Sequence, residues 1–189
     1  MMDSYCELKA LPNPEIIQAA VVAELMQVLH QGLLSFDGRI GLDFPAYRQQ
    51  GTLGGIIRVL GGRQDIKALQ SQLANHPVVQ DYGLLSERME IPSGVTDYAC
   101  YQRRHARGNS RFTRLKKRHL ERGTWTEELE QAVTAKLQAP LDLPYVALKS
   151  ASTAQKFLLF IQQKRQKEHQ PGTFNGYGLS LDGANVPRF

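Results

Sequence analysis

The chain has 189 residues, 42% of them hydrophobic, with 23 lysines and arginines against 18 acids and a formal net charge of +5; this reads as a soluble globular protein, either one large domain or two small ones. Its two cysteines, Cys6 and Cys100, are too few and too far apart for a disulfide framework or a zinc cluster and fit a reducing cytoplasm. The N-terminal segment MMDSYCELKAL lacks a basic stretch followed by an apolar core, and no apolar run approaches the roughly 20 residues a bilayer span needs, so neither secretion nor membrane insertion is expected.

Along the chain, strand and helix signals alternate. SYCELKAL, residues 4–11, reads as a strand, and Asn13-Pro14 then supplies a cap and a proline at the first helical position. The long helix that follows sets Ile17, Val21, Leu25, Val28 and Gly32 on one side, facing inward. Gly38 to Phe44 and Gly55 to Leu60 are short β-branched runs bounded by glycine and proline. A second helix, Asp65 to Asn75, carries Ile66, Leu69 and Leu73 at helical spacing. A fourth strand, Gly83 to Ile91, ends at Pro92-Ser93-Gly94. The order βαββαβ is the ferredoxin-like arrangement that also underlies RRM-type RNA-binding modules. So many activities share it that it does not decide function.

The Pro92-Ser93-Gly94 turn marks the expected boundary between a ferredoxin-like domain, 1–93, and a C-terminal α+β domain, 94–189. Beyond it come a strand over Val95 to Tyr101, a basic helix, a helix over Thr126 to Gln138 that starts with acids, and strands over Leu143 to Leu148 and Lys156 to Ile161. Gln162 to Gly172 is polar and reads as a mobile loop. Thr173 to Phe189 returns to short strand and turn signals, with the terminal aromatic expected to pack.

Charge is concentrated in one place. Arg103 to Arg122, RRHARGNSRFTRLKKRHLER, holds nine of the 23 basic residues against the single acid Glu121, a balance of +8; the rest of the chain, with 14 basic and 17 acidic groups, balances at −3. With Asn109 or Ser110 as its cap, a helix here aligns Arg111, Arg114, Arg118 and Arg122 on one face. Solvated helices ordinarily interleave glutamate with lysine, whereas this run is almost purely basic, which points to a polyanion such as nucleic acid. A helix gripping DNA in a major groove is the less favoured form of that reading, because no helix-turn-helix pattern flanks it.

The chemistry-bearing residues are sparse. The five histidines, His30, His76, His105, His119 and His169, have no metal-ligand spacing, so no metal or cofactor is expected. His30 lies about 160° around its helix from the centre of the apolar stripe, at 3.6 residues per turn. LKSASTAQKF, residues 148–157, sets Ser150, Ser152 and Thr153 in a turn between strands. FNGYGLSLDGANVPRF, residues 174–189, brings Tyr177 in a glycine-flanked loop. Each alone has an ordinary structural reading: a surface histidine, a hydroxyl-capped loop, a half-buried tyrosine.

Taken together, LxxVLHQ around His30, GRIGLDFP, the ARGN before the basic helix, LPYVALKSASTAQKFLLFI and the closing FNGYGLSLDGANVP resemble the CRISPR repeat-cleaving endoribonucleases of the subtype I-F (Csy) system, over most of the chain. The resemblance implies metal-independent cutting of CRISPR precursor RNA at the 3′ base of the repeat hairpin, with the product retained in a Cascade (Csy) surveillance complex beside other subunits. It implies a catalytic role for His30, alignment of the 2′-hydroxyl by Ser150, and support from Tyr177. Contacts to RNA are implied for Ser152 and Thr153 in the serine turn, for Phe157 stacking on the last base pair of the stem, and for Arg103 reading a guanine from the linker before the basic helix. They are also implied for Arg107, Asn109, Arg111, Arg114, Lys117, Arg118, His119 and Arg122 along that helix. Two departures stand out: His105 where the family commonly has a glutamine, and a slightly shorter basic helix with Lys116 and Lys117 in place of arginines. The alternative reading is a non-catalytic hairpin-RNA-binding protein on a ferredoxin-like scaffold, which needs neither His30 nor Ser150.

Overall fold

The computed structural model describes residues 2–105, 109–138, 141–151 and 153–189, with main chain only at 109–111 and 135–138. The protein is α+β: the described residues form two antiparallel sheets, and the chain divides into two compact units, Met1–Arg104 with Leu143–Phe189, and His105–Asp142.

The first sheet is built on β1 (Ser4–Ala10), with β3 (Ile56–Gly61) on one side and β4 (Gly83–Leu85) and β5 (Met89–Glu90) on the other; β2 (Gly41–Asp43) pairs the far edge of β3. The connections hold α1 (Gln18–Leu33), α2 (Arg63–Ala74) and the short α3 (Pro77–Tyr82). Ser4, Cys6 and Leu8 alternate inward along β1, as a sheet with one covered face requires. Burial pushes the Cys6 thiol up to about 12, so it acts as a small core hydrophobe.

Helix α1 buries Val21, Val22, Ala23, Leu25, Met26, Val28, Leu29 and Leu33, a stripe wide enough to pack on both β1 and the strand β7 (Tyr145–Lys149). It begins four residues later than Asn13-Pro14 suggests. The Asn13 Oδ1 accepts the N–H groups of Glu15 and Ile16 at 2.8 and 3.0 Å, closing a turn of its own before the helix. Ile17 therefore sits at the N-cap and is 76% exposed rather than inward-facing. The helix runs on through a 3-10 turn at Leu34–Phe36 and stops where Asp37 and Gly38 turn left-handed, with φ of 49° and 75°. Contrary to the sequence expectation, Gln18–Phe36 is by length and mean hydropathy (1.3) apolar enough to span a bilayer; half of that window is buried inside the protein.

The second sheet has the order β7-β8-β6-β9, with β6 (Asp97–Arg104), β8 (Lys156–Gln166) and β9 (Val186–Arg188). The segment 162–166, expected as a mobile loop, is the second half of β8, paired residue by residue with Tyr98 to Gln102 of β6. Its polarity misleads because the side chains have specific partners: Gln163 Nε2 donates to the Tyr101 hydroxyl at 2.6 Å, and Gln166 Oε1 accepts from Asn185 at 2.6 Å.

The two sheets share one core and are joined by a buried polar knot. The Tyr101 hydroxyl on β6 donates to Asp43 Oδ1 on β2 at 2.7 Å, and Arg58 on β3 pairs with Asp43 and with Glu7 of β1 at 3.3 and 2.9 Å. Burial pushes the Asp43 carboxyl up despite these partners. The Tyr101 phenol is pushed up by burial and then by the neighbouring Asp43 charge. Phe189 closes the knot, its main-chain oxygen accepting from Arg58 at 2.7 Å and its ring 4.9 Å from Tyr5. Both sheets belong to the first compact unit, and the second compact unit is the insertion 105–142.

That unit is a helix pair, α4 (Asn109–Glu121) and α5 (Glu127–Gln138). Helix α4 ends one residue before Arg122: Gly123 takes φ 63°, and the Thr124 N–H reaches back to the His119 carbonyl at 2.9 Å. Its inner side packs around Trp125, whose ring lies 5.9 Å from Phe112 at 82° and whose indole N–H donates to Glu130 at 3.0 Å. Lys116 lies 5.5 Å from the Trp125 ring and pairs with Glu130 at 2.8 Å, holding that carboxyl below its ordinary value together with the indole.

Candidate active site and nucleic-acid interface

The loop after β8 makes the centre of the site. Asn175 Oδ1 accepts the N–H groups of Tyr177 and Leu179, at 2.8 and 3.2 Å, and the Asn175 main chain bonds to Leu179 and Gly178. Gly178 takes φ 67° and passes so close to β2 that an added Cβ would lie 2.5 Å from Leu42 Cγ; its carbonyl accepts the Leu42 N–H at 2.9 Å. FNGYG is therefore a fixed loop clamped to the first sheet.

The loop meets His30. The imidazole and the Tyr177 ring stack at 3.9 Å and 13°, and His30 Nδ1 lies 2.7 Å from the Gly176 carbonyl oxygen. A carbonyl only accepts, so Nδ1 carries the proton and Nε2 keeps its lone pair in the neutral ring. Ring and tautomer are both held. Tyr177 in turn meets Phe157 edge-on at 6.4 Å, and the Arg103 guanidinium lies 5.5 Å from the Phe157 ring. His30, Tyr177, Phe157 and Arg103 thus form a continuous row. Arg103 belongs to β6, opposite Ile161, and not to a linker as expected; a paired strand fixes its backbone more firmly.

Ser150 heads the tight turn between β7 and β8. Its carbonyl accepts the Ala154 N–H at 2.9 Å and its hydroxyl oxygen accepts the Thr153 N–H at 3.3 Å, with Ala154 at φ 54°. Thr153 is exposed. Ser152 lies outside the described residues. The turn is tied to the histidine helix one residue earlier, where the Lys149 N–H donates to Gln27 Oε1 at 3.0 Å. Gly176 and Gln27, which the sequence did not single out, are therefore part of the site's construction.

In the second unit Arg114, Lys117, Arg118 and Arg122 are exposed, and Phe112, Leu115, Lys116 and His119 are half-buried. His119 turns away from the cationic face: its Nδ1 lies 2.8 Å from Thr124 Oγ1 and its ring faces Trp125 at 6.1 Å. Arg107 lies outside the described residues, as do the side chains of Asn109 and Arg111. His105 is exposed at the start of this unit. Among the described residues, no group of three or more His, Cys, Asp or Glu side chains is arranged to hold a metal ion.

The family described as CRISPR-associated protein (Cas_Csy4) matches residues 5–189. Over 192 residues covering the whole of both chains, the sequence is 33% identical to the CRISPR-associated endonuclease Cas6/Csy4 of Pseudomonas aeruginosa (strain UCBPP-PA14). It is 32% identical, again over 192 residues and the whole of both chains, to the protein of the same name from Escherichia coli (strain UTI89 / UPEC).

Proposed function

Because the chain belongs to the Cas_Csy4 family of CRISPR-associated proteins, we propose that it is a CRISPR RNA endoribonuclease that cuts precursor transcripts at the 3′ base of the repeat hairpin. It works without a metal and keeps the product hairpin within a Cascade (Csy) complex. We read the first unit as a ferredoxin-like scaffold for the chemistry and the basic face of α4 as the grip on the stem. The observation that carries this reading is the held imidazole: His30 stacked on Tyr177 with Nδ1–H bound to the Gly176 carbonyl.

RNA supplies its own nucleophile, the 2′-OH beside the scissile phosphate, so the protein has only to take a proton, align the groups and tolerate charge at phosphorus. Nε2 of His30 takes the 2′-OH proton as the oxygen attacks phosphorus. The Gly176 carbonyl steadies the imidazolium that forms, because both ring nitrogens are then donors. The Ser150 hydroxyl holds the 2′-OH in line. The P–O5′ bond breaks, the 5′-oxygen takes up a proton from water, and the products are a 2′,3′-cyclic phosphate, or the 3′-phosphate from its opening by water, and a 5′-OH end. Phe157 offers a face for the last base pair of the stem, with Arg103 beside it for a guanine edge. Arg114, Lys117, Arg118 and Arg122 meet stem phosphates, where a guanidinium or ammonium acts with little regard to sequence.

A hairpin carrying 2′-deoxy at the nucleotide before the cut tests the chemistry, incubated with the protein in excess EDTA beside the all-RNA hairpin. The all-RNA substrate is cut and the deoxy substrate is bound intact. Cleavage of the deoxy substrate at the same bond contradicts the mechanism, and no cleavage of either hairpin favours the purely binding alternative.

A further inference from the structure

We propose that Gln27 is a positioning residue for cleavage, setting the distance between His30 and the serine turn; the inference rests on the functional reading above. β7 is the edge strand of its sheet. The Ser150 N–H donates to the Gln155 carbonyl and the Ile161 N–H to the Pro144 carbonyl, both at 2.9 Å, so the main-chain groups of even-numbered residues here face β8. The Lys149 N–H consequently points off the open edge, and Gln27 Oε1 receives it at 3.0 Å.

The position of this bond gives it leverage. Gln27 precedes His30 by three residues on α1, and side chains three apart are neighbours on a helix surface. Lys149 immediately precedes Ser150. Beside the apolar packing of α1 on β7, this hydrogen bond is a directed link between the helix that carries the imidazole and the strand end that carries the hydroxyl. The hydrogen bonds from Thr153 and Ala154 to Ser150 shape the turn itself. The proposed step needs base, 2′-oxygen and hydroxyl in register, and a shift of about 1 Å in such an arrangement costs on the order of 10²-fold in rate. Most of the proposed ground-state grip on the hairpin comes from the basic face of α4, so rate should fall more than affinity.

The test is single-turnover cleavage and hairpin binding for Gln27→Leu, which keeps the volume without the acceptor, and Gln27→Glu, which keeps an acceptor oxygen. Gln27→Leu is expected to cut roughly 10- to 100-fold more slowly, with Kd changed by less than about threefold. Gln27→Glu is expected to recover to within about threefold of the parent, the rescue that a merely space-filling role does not predict. Thermal melts accompany both, and Gln27→Ala carries the same comparison should the leucine variant fail to melt cooperatively. The inference is overturned if the variant lacking the acceptor cuts like the parent, if rate and affinity fall together, or if Gln27→Glu is as slow as Gln27→Leu. His30→Ala in parallel separates the two levels: its cleavage of the hairpin defeats the catalytic reading itself, whereas an inactive His30→Ala beside a fully active Gln27→Leu defeats only this inference.

Discussion

The two compact units solve different physical problems. Around His30 nearly every element is fixed by a directed bond: Asn175 shapes its loop, Gly178 fits against β2, Gly176 holds Nδ1, and Gln27 ties the strand before Ser150. The helix pair has a small inner cluster around Trp125 and an outer face of exposed cations. Proton transfer falls off steeply with misplacement, while attraction between a cation and a phosphate array changes gradually with distance and is screened by salt. On the proposed reading, the same chain fixes position where chemistry demands it and supplies charge where contact alone suffices.

This contrast breaks if variants in the first unit lose grip rather than rate. Among the residues proposed to assist His30, the largest effect is expected for Ser150→Ala, a loss of roughly 10²–10³-fold in single-turnover cleavage, on the scale of removing one positioned hydrogen bond. Hairpin affinity should change little, and an equal loss in both quantities would assign the serine to binding. A smaller effect is expected at Gly176→Ala. The new Cβ would lie 2.9 Å from Leu34 Cδ2 and 3.3 Å from His30 Cε1. Leu34 is 63% exposed and its tip can swing away, so a loss of about tenfold in rate is expected as the imidazole is displaced by a fraction of the distance that costs 10²-fold. Parent-like rates would show that the Gly176 contact tolerates displacement.

The second unit should answer in the opposite way. Arg114→Ala with Arg118→Ala should leave the rate of bound hairpin nearly unchanged. The same pair should reduce the dependence of log K on log salt by about one unit per lost phosphate contact, a scale taken from duplex nucleic acid. Binding measured over a salt series decides it. An unchanged slope means that these side chains face solvent in the complex.

How much of this was legible in the sequence differs between the units for the same reason. Charge density and helical spacing are local properties, so a helix over the basic run could be read directly, with Arg114 and Arg118 exposed on it, whereas Arg122 falls beyond the end that Gly123 sets and the Arg111 side chain lies outside the described residues. Helix α1 was legible from its apolar period, but its start was not, because Asn13 spends its side chain on a separate turn. The second half of β8 was misread as a loop because its glutamines find partners on β6 and near Asn185, which no local pattern reveals. The same holds at the site. His30, Ser150 and Tyr177 stood out through residue type and family likeness, whereas Gln27 and Gly176 act through contacts 122 and 146 residues away in sequence. The glycines flanking Tyr177 were the one available signal for a close approach.

The most direct test of the central claim is His30→Ala, read by single-turnover cleavage and by equilibrium binding of the same repeat hairpin. A catalytic imidazole contributes mainly to the transition state, so cleavage should fall by at least ~10²–10⁴-fold while Kd stays within about threefold. A variant that still cuts within a few-fold of the parent would contradict the account and leave the held imidazole without a catalytic role.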